Sequence, residues 1–430
     1  MTQEEATEPV YPFSAPGVDI PMFTGDMAVG DVRGTGRVWM QMTGGMDLRW
    51  ELKPAPRRNM RLADAQLVFM HPQLGSIDVP VRVTSSAGRG IILPTSAGRA
   101  SALDEMVVHW VNVPSIYPAD GLESEWGTWA GRWTGSGGGW SLVLDARHDH
   151  AIVAAKAKTT PFHVVTHSGM IRRTDGRPFS PEEATGGLYS SQVALSFALG
   201  RWVAPTLAVG FADGRRVWEL WSPWRCDILR GSQAWWDLHE GQDLQAFVTL
   251  FLDVWADHDR HDRVRYVAHH VIESNKFAMT LEARIMLVGA ALEYLSWVKF
   301  VLDEKRRPPK EHKKRSAAEN LRELLDDAGI PADVPADLDV VEQLRVEKLR
   351  QDGPEVVAWV RNRLVHPTDA KEPYRLEHLV LQTWQLLMQY GELLLLREVG
   401  YTGSFLPRFP PGRSAHDSTP VPWGPARERG

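Results

Sequence analysis

The stretch Trp359-Val360-Arg361-Asn362-Arg363-Leu364-Val365-His366-Pro367 decides how the last third of this 430-residue chain is read. Val356, Val357, Val360 and Leu364 recur at the spacing of one helical face, which predicts a helix over about 354–365 and leaves Arg361 and Asn362 pointing elsewhere. Asn362 and His366 are four apart, so they stack on one side of that helix. Pro367 disfavours helical backbone at His366, which places the imidazole on the last, fraying turn.

The surrounding sequence has the same helical period. After Trp236 the apolar spacing lengthens from two residues to about 3.6, and long amphipathic segments follow. Leu281, Ile285, Val288, Leu292 and Leu295 share one face; Ser316 and Glu319 form a capping box ahead of Leu321, Leu324 and Leu325, with Gly329 and Pro331 as the stop. Further helices are expected over about 338–349 and 376–399.

Upstream, from about Asp19 to Trp221, short apolar or alternating runs are broken by glycine and proline, the pattern of strands and turns. Asp213-Gly214 supplies the positive φ for a hairpin joining 202–211 to 215–221, and Ser180-Pro181-Glu182-Glu183 opens one helix running to about Leu199. The expected fold class is α+β multidomain: a flexible segment 1–18, a β-rich, sandwich-like region 19–238 of one or two subdomains, an all-α domain 239–400, and a disordered Pro/Gly-rich tail 401–430.

Composition narrows the function classes. With 43% hydrophobic and 24% charged residues the chain is ordinarily globular, and a net charge of −6 confines any nucleic-acid contact to a local basic surface. The single Cys226 rules out an intramolecular disulfide or a cysteine-based zinc site, which fits a reducing cytoplasm. The acidic start Met-Thr-Gln-Glu-Glu shows no signal peptide, and charges such as Glu282, Arg284 and Glu293 interrupt the apolar runs, so no membrane span or membrane partner is expected.

Arg361 and His366 are the residue types that RNA cleavage without a metal needs. A histidine titrating near neutrality can take the proton of an attacking 2′-hydroxyl or protonate the leaving 5′-oxygen. A forked, permanent cation can hold the phosphate and stabilise the added charge of the pentacoordinate state. Asn362 is placed to orient either group. The order Arg-Asn-x-x-x-His-Pro, behind the earlier helix Ala290-Ala291-Leu292-Glu293-Tyr294-Leu295, resembles the HEPN superfamily over roughly residues 240–400.

That resemblance implies an endoribonuclease without cofactor or metal, leaving a 2′,3′-cyclic phosphate and a 5′-hydroxyl, with Arg361 as phosphate clamp, Asn362 as polar orienter and His366 as acid/base. One motif per chain implies a homodimer in which two copies face one RNA strand. The order of β-rich half and helical domain is also similar to ApeA-type abortive-infection proteins of bacteria, which implies that the N-terminal half answers a phage-derived trigger. Inert HEPN-like modules exist, so a dimerisation or RNA- or ligand-binding protein is the alternative, and His366 and Arg363 can simply complement a helix C-terminus.

Other signals are weaker. Lys305, Arg306, Arg307, Lys310, Lys313, Lys314 and Arg315 concentrate positive charge where an RNA backbone can bind, and Arg363 adds to it; a solvated loop is the other reading. Trp126, Trp129, Trp133 and Trp140 crowd the glycines 137–139, as base-stacking or, more commonly, core residues. No Gly-Lys-Ser/Thr follows those glycines, no HExxH accompanies His258, His261, His269 and His270, and Thr166-His167-Ser168-Gly169 lacks a nucleophile elbow.

Overall fold

A computed structural model describes residues 4–54, 65–85, 88–229, 233–409 and 417–424. The chain is α+β and multidomain, with a β-rich N-terminal half and a helical C-terminal half. Its two compact units comprise Met1–Gln192 with Trp202–Gly231, and Val193–Arg201 with Ser232–Gly430.

The β-rich unit has two sheet systems. A short strand β1 (Glu4–Glu5) precedes a closed barrel of β2 (Ile20–Val29), β3 (Val32–Met40), β4 (Leu48–Lys53), β5 (Ala65–His71), β6 (Gly75–Ser85) and β7 (Arg89–Ile92), in the order β2-β3-β4-β7-β6-β5. Strict alternation drives closure: in β5, Ala65, Leu67, Phe69 and His71 are buried while the residues between them are exposed. Gly90 is required where β7 crosses Trp50, since a Cβ there would sit 2.6 Å from the indole and 2.1 Å from the Arg82 carbonyl.

The second system is an open sheet. It comprises β8 (Thr95–Gly98), β9 (Glu105–Val111), β10 (Asp120–Ser124), β11 (Gly127–Gly137), β12 (Trp140–Ala146), β13 (Val165–Arg173), β14 (Ala204–Ala212) and β15 (Arg215–Trp221). Their order is β1-β10-β11-β12-β13-β9-β14-β15-β8, antiparallel except where β1 runs parallel to β10. Central β9 reads Met106-Val107-Val108-His109-Trp110-Val111 and is buried throughout, as expected for a strand covered on both faces. Asp213 (φ 49°) and Gly214 (φ 69°) make the β14–β15 turn, with Ala212 opposite Arg215.

Two helices interrupt this unit, where the sequence reading expected one. Beside α2 (Pro181–Ala198), capped reciprocally by Ser180 and Glu183, there is α1 (His150–Thr159). α1 escapes pattern reading because its N-cap Asp149 makes no side-chain cap bond and its buried side is mostly small, with His150, Val153, Ala154 and Ala157. The segment 1–18, expected to be flexible, is tied down over its described part. Thr7 N donates to Asp145 Oδ2 (2.7 Å), Tyr11 N to His109 Nε2 (3.0 Å), and the Tyr11 hydroxyl to Glu219 (2.6 Å). Residues 1–3 lie outside the described residues.

The helical unit contains α3 (Gly241–Ala256), α4 (His261–Ser274), α5 (Leu281–Trp297), α6 (Pro309–His312), α7 (Ala317–Ala328), α8 (Asp339–Glu347), α9 (Gly353–Val365) and α10 (Leu379–Glu398). The end of α2 also clusters here, because Phe197 packs on Trp235 and Phe247. The 23-residue helical stretch Leu281–Asp303 reaches a mean hydropathy of 1.7, long and apolar enough by itself to cross a bilayer. Its residues Ile285, Val288, Leu292 and Leu295 are buried, and α5 packs on α4, α7, α9 and α10, the setting of a core helix.

The tail is also not the disordered segment expected from its composition. Tyr401 is buried, Ser404–Phe405 pairs with Thr419–Pro420, and Arg408 is 1% exposed, donating to both oxygens of the buried Glu392 (2.8 and 2.6 Å) and to Asn275 Oδ1 (3.1 Å). Proline and glycine counts missed this because one bidentate arginine anchors the segment. Positions 410–416 and 425–430 of that expectation lie outside the described residues.

Arg408→Ala strands Glu392 without its cation and should cost the helical unit about 3–5 kcal/mol in chemical denaturation. In the β-rich unit, burial lowers His109 to about 4, with Nδ1 on the Leu207 carbonyl. The unfolded chain, titrating near 6.5, binds more protons between these values. Stability is therefore full above about pH 6.5 and should fall by about 3 kcal/mol as pH drops to about 4. His109→Asn should flatten that slope in tryptophan-monitored acid unfolding; His150, His163 and His167, also lowered by burial, retain the remainder.

Candidate active site

Helix α9 positions the motif. Asp352 caps it by accepting from Glu355 N (3.0 Å), Pro354 fits the first turn, and Val356, Val357 and Val360 bury the inner face. His366 is the C-cap, with φ −127° and ψ 69°, and its amide donates to the Asn362 carbonyl at 2.7 Å. The helix stops there because Pro367 excludes helical backbone from the residue before it.

Four helices line a cleft at Arg361, α10 through Leu387 alone. α9 contributes Pro354, Val357, Ala358 and Arg361, at offsets of three, four and seven residues; α5 contributes Gly289, Leu292, Glu293 and Ser296 in the same rhythm. α7 adds Ala317, Asn320 and Leu321. Gly289, Ala317 and Ala358 put little side-chain volume into the space between these walls. Arg361 Nη2 lies 3.2 Å from Glu293 Oε1, an ion pair with both partners open to solvent. The Arg361 Nε–H is buried and meets no acceptor among the described residues.

Asn362 and His366 are exposed, and among the described residues neither side chain makes a hydrogen bond. Neither lines the cleft that holds Arg361. One chain thus presents a guanidinium and an imidazole on the same helix without gathering them into one cavity. At 100° per residue, positions 361 and 366 point about 140° apart around the axis.

The remaining predicted cations divide in two. Arg363 Nε pairs with Glu372 (3.1 Å), Nη1 donates to Thr368 (2.9 Å), and the guanidinium lies over Trp359 (5.5 Å). Lys348 shares Glu372 (2.9 Å) and Trp359, so Arg363 belongs to a structural knot at the helix end. Arg306 binds Asp327 in a fork (2.8 and 2.7 Å) and Glu304; Arg307 pairs with Glu323; Arg315 pairs with Glu323 (3.0 Å) and donates to Asn320 (3.0 Å). The Asp327 hydrogen bond, with Coulombic help, holds the Arg306 guanidinium pKa above its usual value, and the same contact holds the Asp327 carboxyl below the usual carboxylate range. Lys305, Lys310 and Lys314 are exposed, and Lys313 sits 5.6 Å from the Trp297 ring.

Glu293 is the functional candidate that motif reading left without a role. Its signal was available: an acid inside the apolar run Ala290–Leu295, facing a helix that carries a motif arginine. The histidines of 258–270 resolve as helix packing where they are bonded, with His261 Nδ1 on the Trp255 carbonyl and His270 Nδ1 on the Tyr266 carbonyl. Among the described residues, no group of three or more His, Cys, Asp or Glu side chains is placed to hold a metal ion. Of the four tryptophans, Trp133 and Trp140 are core, Trp129 donates to the Ala146 carbonyl (2.8 Å), and Trp126, 67% exposed, stacks on His148.

Comparison with known proteins divides the chain in the same way. Residues 98–232 match the family described as YopA central domain, and residues 257–418 match YopA C-terminal domain. A relative from Bacillus subtilis (strain 168), the SPbeta prophage-derived uncharacterized protein YopA, is 26% identical over 276 residues, covering 63% of this chain and 60% of that protein. The aligned part therefore spans less than two thirds of the relative's length. No solved structure matches. Strands β9–β15 of the open sheet fall in the first matched segment and the Arg361 cleft in the second, while β1, the barrel and nearly all of β8 precede both.

An exposed side chain such as His366 and a solvent-open ion pair such as Arg361–Glu293 contribute little to stability. Arg361→Ala and His366→Ala should each lower stability by less than about 1 kcal/mol in thermal or urea melts. A larger loss in either would mark that residue as part of the scaffold.

Proposed function

We propose that the helical unit is a HEPN-type, metal-independent endoribonuclease that acts as a homodimer in the cytoplasm, regulated by the β-rich half as an antiphage or abortive-infection effector. The observation that carries this reading is the state of α9: a guanidinium with a free buried N–H in a cleft, and an unbonded asparagine and histidine at the solvent-exposed helix end.

In this reading Arg361 holds the scissile phosphate and stabilises its added charge, while His366 exchanges protons with the 2′-hydroxyl or the leaving 5′-oxygen. Asn362, one turn before His366, orients whichever group lies between them. The separation of Arg361 and His366 around one helix favours a site completed by a second copy, each copy lending what the other lacks. The prophage origin of the Bacillus subtilis relative supports a phage-linked setting. Lys305, Lys310 and Lys314 are the cations of the 305–315 run left to meet a phosphate backbone. The second reading, an inert binding module, is favoured by one feature: Arg361 already has a carboxylate partner.

Full-length protein incubated with single-stranded RNA in excess EDTA should yield 2′,3′-cyclic phosphate ends. His366→Ala should remain folded and lose about 10²–10⁴ in rate. Arg361→Ala should lose more in kcat than in RNA affinity, because charge grows toward the transition state. Equal cutting by the His366 variant removes the catalytic assignment, and RNA binding with no cutting under any trigger selects the binding module. Replacing Lys310 and Lys314 by alanine should weaken RNA binding and lower the slope of log affinity against log salt by about 1–2.

A further inference from the structure

The cleft at Arg361 is lined by one cation and one anion among the described residues, Arg361 and Glu293, in otherwise neutral walls. The geometry is unequal. Glu293 touches only Nη2, at 3.2 Å, whereas Nε of the same guanidinium is buried and without an acceptor. The Nε and Nη2 edge of an arginine is a fork suited to two oxygens of a phosphate or carboxylate. Glu293 stands at ion-pair distance from Nη2 and does not reach Nε, whose desolvation is left uncompensated.

From this half-filled fork we infer that Glu293 is a resident competitor for the phosphodiester on Arg361, an anionic gate that RNA must displace before the clamp closes. The inference rests on the nuclease reading above and gives it a control element. The Glu293 side chain is 47% exposed and anchored through Arg361, so it can leave into water as the phosphate arrives. A diester bound at both prongs satisfies Nε as well as Nη2. A weak or singly contacting anion gains nothing over the carboxylate it replaces. The gate therefore discriminates by contact number: it raises the threshold for stray anions more than for a strand that also meets other cations of the protein. Asn320, held by Arg315 at 3.0 Å, and Ser296 are the neutral polar side chains of the lining.

The test is a double-variant cycle on full-length protein carrying His366→Ala, which binds without cutting, read by fluorescence anisotropy with a labelled single-stranded RNA. Glu293→Gln keeps the shape and removes the charge. It should tighten RNA binding by about two- to fivefold, the size expected for loss of an exposed competing pair. With Arg361→Ala added, the same Glu293→Gln change should have no effect. Tightening that persists without Arg361 is general charge relief and overturns the gate. In the catalytic background, Glu293→Gln should lower KM with little change in kcat; a fall in kcat at constant KM would instead make Glu293 a positioning residue and overturn the gate. Unchanged RNA affinity in the Glu293 variant sinks the gate alone, whereas absence of RNA binding in the His366→Ala parent sinks both the gate and the nuclease reading.

Discussion

The helical half depends on burial of one apolar helix. α5 packs on α4, α7, α9 and α10, and its buried residues Ile285, Val288, Leu292 and Leu295 are what those neighbours close around. That stripe fixes which side of α5 remains for other work. Gly289, Glu293 and Ser296 lie on the side turned toward α7 and α9, so the same rotation that buries the leucines delivers a carboxylate to the motif arginine. Packing and site are therefore one constraint.

A second constraint is the way α9 ends. The helix is held at its start by Asp352 and halted at its finish by Pro367, and between them the valines leave no freedom of register. His366 sits at the terminus, exposed because the chain departs there, and Asn362 lies one turn earlier on the same side. Arg363, which sequence placed with the nucleic-acid contacts, is absorbed by Glu372, Thr368 and Trp359 into the packing of that terminus. Neighbouring positions on one helix thus have opposite fates, set by the direction in which each side chain leaves the axis.

Much of this was legible in the chain. The change of period after Trp236, both capping boxes, the Gly329 stop and the Asp213-Gly214 turn are local signals with local causes, and each has its counterpart in the structure. Non-local features were not legible. α1 is short, capped by no side chain and buried through small residues, so no periodic signal exceeds the background. Barrel closure depends on pairing β2 with β5, which sequence spacing does not announce. The tail is held by Arg408 on Glu392, sixteen residues apart in sequence and invisible to composition. At the site, the Arg361, Asn362 and His366 motif was readable, but the pairing of three basic-run arginines with Glu304, Glu323 and Asp327 was not. Acids from α7 reach back to the loop only in three dimensions.

The six strands from Ile20 to Ile92 lie outside both matched segments and form a ring in which every strand has two neighbours. The seam is narrow, since β2 meets β5 only at Met27–Val29 and Ile20–Asp26 of β2 pairs on the β3 side alone among the described residues. Recruitment of another polypeptide by adding a strand, a common route for open β-structure, is therefore confined to that short stretch among the described residues. Elsewhere recognition falls to side chains on its outer wall or at its rims, a surface that can diversify without disturbing the hydrogen-bonded cylinder beneath.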